Sequence, residues 1–275
     1  MPELPEVQTV VSTLQRSVRG LRIAAAKLLR SDVLEPAGFG LEAALVGRGI
    51  AEVQRRGKKI VIELDDGNRV AIHLGMSGRL TVEKPEEPVK KHTHFILELV
   101  EKSGGKSGAK QVRFVDPRRF GGIFWLGTET AADENLGPEP LTLKPAQLAR
   151  GLAKTSRAIK TALLDQKLIA GIGNIYADEA LFAAGIDPRV PANKLGGEQI
   201  AKLNRGIKRV LRRAINHRGS TLRDYRDADG EPGNYQKLHL VYGREGEACA
   251  VCGEPIQRIV LGGRSTHFCG RCQKR

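Results

Sequence analysis

Residues 249–272 read CAVCGEPIQRIVLGGRSTHFCGRC and contain all four cysteines of the 275-residue chain. They form two Cys-x2-Cys pairs with 16 residues between them, a spacing typical of a structural zinc site with four thiolate ligands. The alternative is two disulfides, but a chain without a secretory signal is expected to keep its thiols reduced. The pattern favours one structural zinc ion, bound by Cys249, Cys252, Cys269 and Cys272.

The charge of the chain is unevenly distributed. The formal net charge is +14, and residues 150–275 hold 23 basic and 12 acidic side chains against 22 and 19 in residues 1–149. Such an excess in one half indicates a polyanionic partner, either nucleic acid or a membrane surface. No apolar run approaches the ~18 residues that span a bilayer, and the Pro-rich, acidic start does not resemble a signal peptide. We therefore exclude secreted and membrane proteins and expect no contact with a membrane.

Hydrophobic periodicity changes along the chain. Apolar residues between Val7 and Val18 recur with helical spacing, whereas residues 50–126 hold short β-rich runs separated by turn residues. This region is expected to form an antiparallel β-sandwich, with a polar hairpin loop over 102–110. The predicted strands are Lys59–Leu64, Arg69–Leu74, Arg79–Glu83, Phe95–Val100, Val112–Val115 and Ile123–Leu126.

The second half is mainly helical. After a linker-like stretch over 127–145, helical patterning continues to about residue 217, and the clearest helix is predicted over 198–216. One side of that helix carries five basic residues, which are more often a solvated surface than a contact site. Residues 219–237 lack periodicity, and loops of this length are usually functional or disordered.

The N-terminal residues Pro2 and Glu3 directly precede the first helix. If Met1 is removed, Pro2 becomes a secondary amine beside a carboxylate, and an α-amino group is far more often unprotonated at pH 7 than a lysine. Amines of this kind form Schiff bases with aldehyde-like carbons. From the residues alone, however, Pro-x-x-Pro is more often simply the start of a helix.

Three further glycine-bounded segments carry chemically suggestive side chains, although each alone is a weak signal. HLGMSG at 73–78 presents a methionine, DPRRFGG at 116–122 presents arginine and an aromatic ring, and GIGNIY at 171–176 predicts Asn174 as the N-cap of a helix. Free N–H groups at such a helix start can bind a phosphate.

Together these blocks resemble the formamidopyrimidine-DNA glycosylase family over essentially the whole chain. The matching blocks are PELPEV at 2–7, RRGKK at 55–59, HLGMSG at 73–78, DPRRFGG at 116–122, LGPEPL at 136–141, LLDQKLIAGIGNIYADEALFAAGI at 163–186, VYGREGEAC at 241–249 and RSTHFCGRCQK at 264–274. The resemblance implies an α+β multidomain protein. It would comprise an antiparallel β-sandwich with an N-terminal helix (1–130), a linker (131–145), a helix-two-turn-helix domain with a lesion-capping loop at 219–237 (146–240) and a zinc-finger β-hairpin (241–275).

The resemblance also implies roles for individual residues. Pro2 would be the nucleophile, Glu3 the proton donor and acceptor at the sugar, Lys58 an assistant in the lyase step, and Arg264 a grip on the flanking phosphate that aids the second elimination. Met76, Arg118 and Phe120 would fill the space left by an extruded nucleotide. The expected contacts with the DNA backbone are His92, Arg157, Lys160, Asn174 and Tyr242.

The expected function is therefore bifunctional. The enzyme would remove oxidised purines from double-stranded DNA and then cleave the strand at the abasic site by β,δ-elimination, acting as a monomer in the bacterial cytoplasm at the nucleoid. An endonuclease VIII-like enzyme for oxidised pyrimidines is the nearest alternative, but Leu4 and the Met76, Arg118 and Phe120 set favour the purine branch. A damage-binding homologue without catalysis is the alternative from another class.

Overall fold

The computed structural model describes residues 2–101, 109–128 and 135–274. The chain folds into two units: a first unit of Met1–Asp133 with Arg218–Gly233, and a second unit of Glu134–His217 with Asn234–Arg275. Parts of two predicted segments, the loop over 102–110 and the linker over 131–145, lie outside the described residues. Within the described ranges, no helix is long and apolar enough to cross a membrane.

The first unit is a β-sandwich that begins with a helix, as predicted. Helix α1 (Leu4–Val18) buries its valines and leucines, because an apolar residue recurs every three or four positions. The helix begins directly after Pro2 and Glu3, as predicted, and Pro5 occupies its first turn, where its missing N–H costs no hydrogen bond. Both sheets pack against this helix, which places its N-terminus on a rigid base.

Among the described residues of this unit, the strands form two sheets. The strands are β1 (Arg22–Leu28), β2 (Leu34–Glu35), β3 (Ile50–Arg56), β4 (Lys59–Leu64), β5 (Arg69–His73), β6 (Arg79–Glu83), β7 (Thr93–Val100), β8 (Lys110–Val115) and β9 (Gly122–Gly127). One sheet has the order β1-β7-β8-β6 and is antiparallel; the other has the order β2-β9-β5-β4-β3, with β2 and β9 as its parallel pair. A short helix α2 (Leu41–Leu45) lies between β2 and β3.

The predicted strands are confirmed, and two, Lys59–Leu64 and Arg79–Glu83, have the predicted bounds. Sequence reasoning missed β1, because its three consecutive alanines give no clear alternation and its residues are mostly exposed or half-buried. It also missed β2 and β3. The hydrophobic core lies between the sheets and α1, and it includes Phe95, Phe114 and Ile123.

The second unit is helical with a terminal β-hairpin. Its helices are α3 (Pro145–Leu152), α4 (Ile159–Leu163), α5 (Asn174–Ala184) and α6 (Gly197–Asn216), followed by strands β10 (Gln257–Leu261) and β11 (Arg264–Phe268). Helix α6 matches the prediction to within one residue and packs against α5. Gly206 lets the two backbones approach, because a Cβ there would lie 3.1 Å from the Ala180 carbonyl oxygen.

Candidate functional site

The start of α1 holds the proposed nucleophile and its neighbouring carboxylate. Pro2 and Glu3 are both buried, and Glu3 is only 3% exposed. The Glu3 N–H donates to the Glu6 carboxylate over 2.8 Å, so Glu6 satisfies a helix-start donor. This bond holds the backbone of Pro2 and Glu3 in place at the start of the helix.

Glu6 has a second function that sequence reasoning missed. Its other carboxylate oxygen accepts a 2.6 Å hydrogen bond from the Ser220 N–H, and the Tyr225 hydroxyl donates to the Glu6 carbonyl over 3.1 Å. Gly219 has a φ of +74°, and a Cβ there would lie 2.5 Å from the Glu6 carboxylate. Only glycine therefore fits beside this carboxylate.

These contacts correct the expected domain division. The loop over 219–237 was assigned to the helical domain, but Arg218–Gly233 belongs to the first unit. The Ala228 N–H donates to the Thr13 hydroxyl over 3.2 Å, which adds a second attachment to α1. The helical pattern preceding residue 217 gave no signal that the chain then joins the other unit.

Lys58 lies in the tight turn between β3 and β4 and is half-buried. The turn is joined to α1 by Arg55, which donates to the Gln8 side chain over 3.0 Å and to the Gly57 carbonyl over 2.9 Å. Burial, and then the positive charges of Lys58 and Lys59, lower the pKa of the neighbouring His73. Because both effects favour the neutral ring, His73 adds no positive charge beside Lys58.

Two loops of the first unit, 74–78 and 116–122, touch through their backbones. A Cβ at Gly75 would lie 2.4 Å from the Gly121 nitrogen, and a Cβ at Gly121 would lie 2.5 Å from the His73 carbonyl oxygen. No side chain fits at either position, since real Cβ contacts are never so short. The glycines of HLGMSG and DPRRFGG thus bring the two motifs together.

A buried carboxylate, that of Asp116, holds these loops in place. One oxygen accepts from the Ser77 hydroxyl over 2.6 Å and from the Arg118 N–H over 3.2 Å, and the other accepts from the Gly121 N–H over 2.8 Å. Asp116 is fully buried, so these are bonds to an ionisable group shielded from water. Nothing in the sequence pattern indicated this role of Asp116.

The loops expose the three side chains predicted to act as a wedge. Met76 is 44% and Phe120 62% exposed, which is unusual for large apolar side chains, and Arg118 is exposed as well. His92 is exposed on an adjacent turn, where its carbonyl accepts the Asp116 N–H over 3.0 Å. The structure therefore groups Met76, His92, Arg118 and Phe120 in the first unit.

Asn174 begins α5, but it is not the N-cap. That position belongs to Gly173, which has an extended backbone and whose carbonyl accepts the Ala177 N–H over 3.0 Å. The prediction was one residue late, because asparagine is the commoner cap and glycine is only a modest one. The Asn174 amide instead donates to the Ser265 hydroxyl over 3.3 Å, which joins α5 to β11.

Lys160 and Arg157 lie in different environments of the second unit. Lys160 is fully buried on α4 and forms an ion pair with Asp178, whereas Arg157 is exposed and forms a 2.8 Å ion pair with Asp165. In this conformation the Lys160 ammonium is not accessible to a ligand from solvent. Any effect of Lys160 on a bound backbone therefore passes through its neighbours.

Tyr242 is held by a second buried carboxylate. Glu179 accepts the backbone N–H groups of Leu240, Val241 and Tyr242, each over 2.9–3.0 Å. Burial raises the pKa of Glu179, while these three donors oppose the shift. The Tyr242 ring packs edge-on against His267, with 5.1 Å between the ring centroids.

The four cysteines form the predicted metal centre. Their sulfur atoms all lie within 4.8 Å of one another, and the Cys252 and Cys269 sulfurs are 3.4 Å apart. A tetrahedral zinc with Zn–S bonds of about 2.3 Å requires sulfurs roughly 3.8 Å apart, so the thiols fit this ion. Arg264 is exposed and begins β11 of the hairpin that the metal site closes.

Three family models match the chain. The formamidopyrimidine-DNA glycosylase N-terminal domain matches residues 1–123, its H2TH domain matches 136–226, and a zinc finger found in FPG and IleRS matches 246–275. Together with the clustered thiols, the last match confirms the predicted structural zinc.

Relatives and solved structures agree with these models. The chain is 43% identical over 100% of both chains to formamidopyrimidine-DNA glycosylase of Syntrophomonas wolfei, and 42% identical over 99% of both to that of Bacillus subtilis. A complex of Lactococcus lactis Fpg with abasic-site DNA has a TM-score of 0.90 at 34% identity, covering 99% of this chain and 100% of that one. The MutM (FPG) protein of Thermus thermophilus has a TM-score of 0.85 at 40% identity, covering 99% and 98%.

These names do not favour the endonuclease VIII alternative. The predicted fold class is confirmed by the same matches. The chain therefore belongs to the formamidopyrimidine-DNA glycosylase family and is a DNA glycosylase of base excision repair.

Proposed function

We propose that the substrates are oxidised purines in double-stranded DNA, 8-oxoguanine and formamidopyrimidines, together with abasic sites. Solved structures support this, since a mutant of Lactococcus lactis Fpg was solved with DNA containing Fapy-dG and Lactococcus lactis Fpg with abasic-site DNA. The enzyme would act as a monomer in the bacterial cytoplasm, at the nucleoid. The bacterial sources of its relatives support that location.

The observation that carries the proposed chemistry is the pair Pro2 and Glu3 at the start of α1. Removal of Met1 turns the Pro2 nitrogen into a secondary amine, whose lone pair attacks the sugar C1′. The bond from C1′ to the base breaks, and the departing base takes up the proton that the Pro2 nitrogen releases. Glu3 then transfers a proton to the ring oxygen as the sugar opens. The product is an iminium on Pro2, which carries a positive charge that deprotonation of its nitrogen cannot remove.

Strand cleavage follows from the electron demand of this iminium. It acidifies the C2′ hydrogen, so loss of that proton expels the 3′ phosphate, and a second elimination expels the 5′ phosphate. Lys58 assists the first elimination and contacts the phosphate, and Arg264 aids the second. Water then hydrolyses the iminium and frees Pro2.

The exposed side chains of the first unit would keep the duplex open. A damaged base is processed outside the stack, and apolar side chains inserted into the duplex offset the loss of stacking. Met76 and Phe120 provide that apolar surface, while Arg118 can hydrogen-bond the orphaned base. The loop over 219–237 would cover the extruded base.

The remaining residues would hold the DNA backbone. His92, Arg157, Asn174 and Tyr242 are proposed as phosphate contacts, with Lys160 acting behind them. Zinc, when bound by the four cysteines, supplies a structural crosslink without an open coordination position. It therefore supports the hairpin that carries Arg264.

Borohydride trapping tests the nucleophile. Reduction of the iminium on an 8-oxoguanine duplex should give a stable protein–DNA adduct, and peptide mapping should locate it on Pro2. An adduct on Lys58 or another lysine contradicts the mechanism, and no adduct at all favours the non-catalytic homologue. An oxidised-pyrimidine duplex cleaved faster than the 8-oxoguanine duplex would favour the endonuclease VIII-like alternative.

Glu3→Gln separates the two activities. Base excision should be lost while some cleavage of a preformed abasic site remains, because there the base has already departed. Glu52→Gln, a matched change on the exposed side of β3, should leave both activities intact. Equal loss of both activities in Glu3→Gln contradicts its assignment to the excision step.

A further inference from the structure

The fully buried ion pair of Lys160 and Asp178 is the starting observation. Neither side chain is exposed to solvent. Burying an ammonium or a carboxylate is costly unless the charge is paired and hydrogen-bonded. Asp178 neutralises Lys160, and Lys160 also donates to the Asn174 carbonyl over 3.2 Å. The proposed function assigns no role to Asp178.

Asp178 also contacts the zinc hairpin. Its second oxygen accepts the His267 backbone N–H over 3.0 Å and lies 3.3 Å from the Nδ1 atom of His267. One carboxylate thus joins α4, α5 and β11. A hydrogen bond to an ionised acceptor is stronger than one between neutral groups, so this is the firmer of the polar contacts described between α5 and β11.

The hydrogen bond from Asn174 to Ser265, together with the one from His267 to Asp178, defines the register of β11 on α5. Asn174 and Asp178 are four residues apart on one side of α5, and Ser265 and His267 are two residues apart on one face of β11. Four helical residues rise about 6 Å and two strand residues about 6.6 Å. The spacing between Asn174 and Asp178 along the helix therefore matches the spacing between Ser265 and His267 along the strand.

Arg264 lies on the opposite face of β11. Side chains alternate along a strand, so when Ser265 and His267 face α5, Arg264 faces away, and it is exposed. A slip of one residue would turn Arg264 towards α5, because a one-residue shift reverses every side chain of a strand.

We propose that Asp178 is a positioning residue that sets the register of β11 on α5 and thereby aims Arg264 for the second elimination. The inference rests on the proposed function through the role of Arg264. Asp178 touches neither the DNA nor the reacting atoms, and it acts only through the hairpin.

Two double variants isolate the hydrogen bond to His267. Lys160→Met with Asp178→Leu removes both charges and leaves no buried unpaired ammonium, so the protein keeps a well-packed interior. Lys160→Met with Asp178→Asn removes the same charges but retains an oxygen that accepts the His267 N–H. The comparison uses the zinc-loaded, full-length enzyme, with equal zinc content checked by elemental analysis.

The activity readout is the partition between the two elimination products on a preformed abasic-site duplex. The rate of the second elimination should fall on the order of tenfold to a hundredfold in the leucine variant relative to the asparagine variant, because small misplacements of a catalytic group are costly. The first elimination should change much less. Hydrogen exchange at the amides of Arg264–Phe268 should be faster in the leucine variant.

The two readouts separate the possible failures. Equal hydrogen exchange in both variants would show that Asp178 does not fix the hairpin. Faster exchange in the leucine variant with an unchanged rate of the second elimination would show that the hairpin register does not position Arg264. Arg264→Ala is measured alongside. If it leaves the product partition unchanged, the role of Arg264 in the proposed function fails, and the exchange comparison still decides whether Asp178 sets the hairpin.

Discussion

Single buried carboxylates do much of the positioning in this enzyme. Glu6 holds the start of α1, Asp116 joins the two exposed loops, and Glu179 binds three consecutive N–H groups before Tyr242. Sequence reasoning identified the motifs but not these roles, because an acidic residue in a loop looks the same whether its partners are backbone donors or water.

Asp116→Ala should destabilise the protein and disorder the wedge. The Ser77 hydroxyl and the Gly121 N–H lose their acceptor, while the Arg118 N–H keeps only a 3.3 Å bond to the Ser77 hydroxyl. A buried donor left unsatisfied costs about 1–3 kcal/mol. Excision from duplex DNA should fall more than cleavage of a preformed abasic site, which needs little unstacking. Asp66→Ala is the control, since Asp66 accepts an N–H in a turn of the same unit, over 3.0 Å. Similar activity ratios in both variants would argue against this role for Asp116.

His239 should make stability depend on pH. Burial lowers its pKa from 6.5 to about 4, so the unfolded chain binds the proton more readily than the folded one. The contribution of His239 to the free energy of unfolding is present above pH 6.5 and is lost as the pH falls towards 4. The total loss is about 3 kcal/mol. Urea unfolding should show the stability difference between wild type and His239→Gln narrowing from pH 7 to pH 4.5. A constant difference would contradict the expectation.

The backbones of loops 74–78 and 116–122 approach each other so closely that neither loop accommodates an added side chain at the contact. Gly121→Ala should separate loops 74–78 and 116–122, because the new Cβ meets the His73 carbonyl at 2.5 Å. We expect a loss of about 1–3 kcal/mol in unfolding free energy, typical of overpacking, and weaker excision. Gly197→Ala is a matched control, since nothing lies within 4 Å of its Cβ position and it begins helix α6. Equal stability of the two variants would show that the loops can separate without cost.

The elements themselves were largely predictable from the sequence. The long amphipathic helices α1 and α6 and the strands with regular alternation were found because one face of each is buried. The strands β1, β2 and β3 were not. Arg22–Leu28 is alanine-rich, Leu34–Glu35 is too short to show a period, and Ile50–Arg56 buries only two of its seven residues, so it shows no regular alternation. The N-cap at Gly173 was missed by one residue because asparagine is a commoner N-cap than glycine.

For the whole molecule, the charge excess predicts strong salt dependence. If the excess in residues 150–275 neutralises phosphates, the logarithm of the DNA association constant should fall with the logarithm of salt concentration by about 0.9 per phosphate contact. Asn174→Ala should weaken binding to damaged and undamaged duplex alike, because phosphate contacts do not read the base. Fluorescence anisotropy at several salt concentrations measures both effects. Selective loss of binding to one damaged base would contradict the assignment of Asn174.

Because Arg218–Gly233 is bonded to helix α1, no single cut in the gene separates the two units. The polypeptide leaves the first unit, returns to it for sixteen residues and leaves again. A fragment ending at residue 133 would lack the Ser220 and Ala228 N–H groups that donate to Glu6 and Thr13. The complementary fragment would carry the segment 218–233, which belongs to the first unit. The two halves produced separately should therefore regain activity only by fragment complementation, with the 218–233 segment of one chain completing the fold of the other.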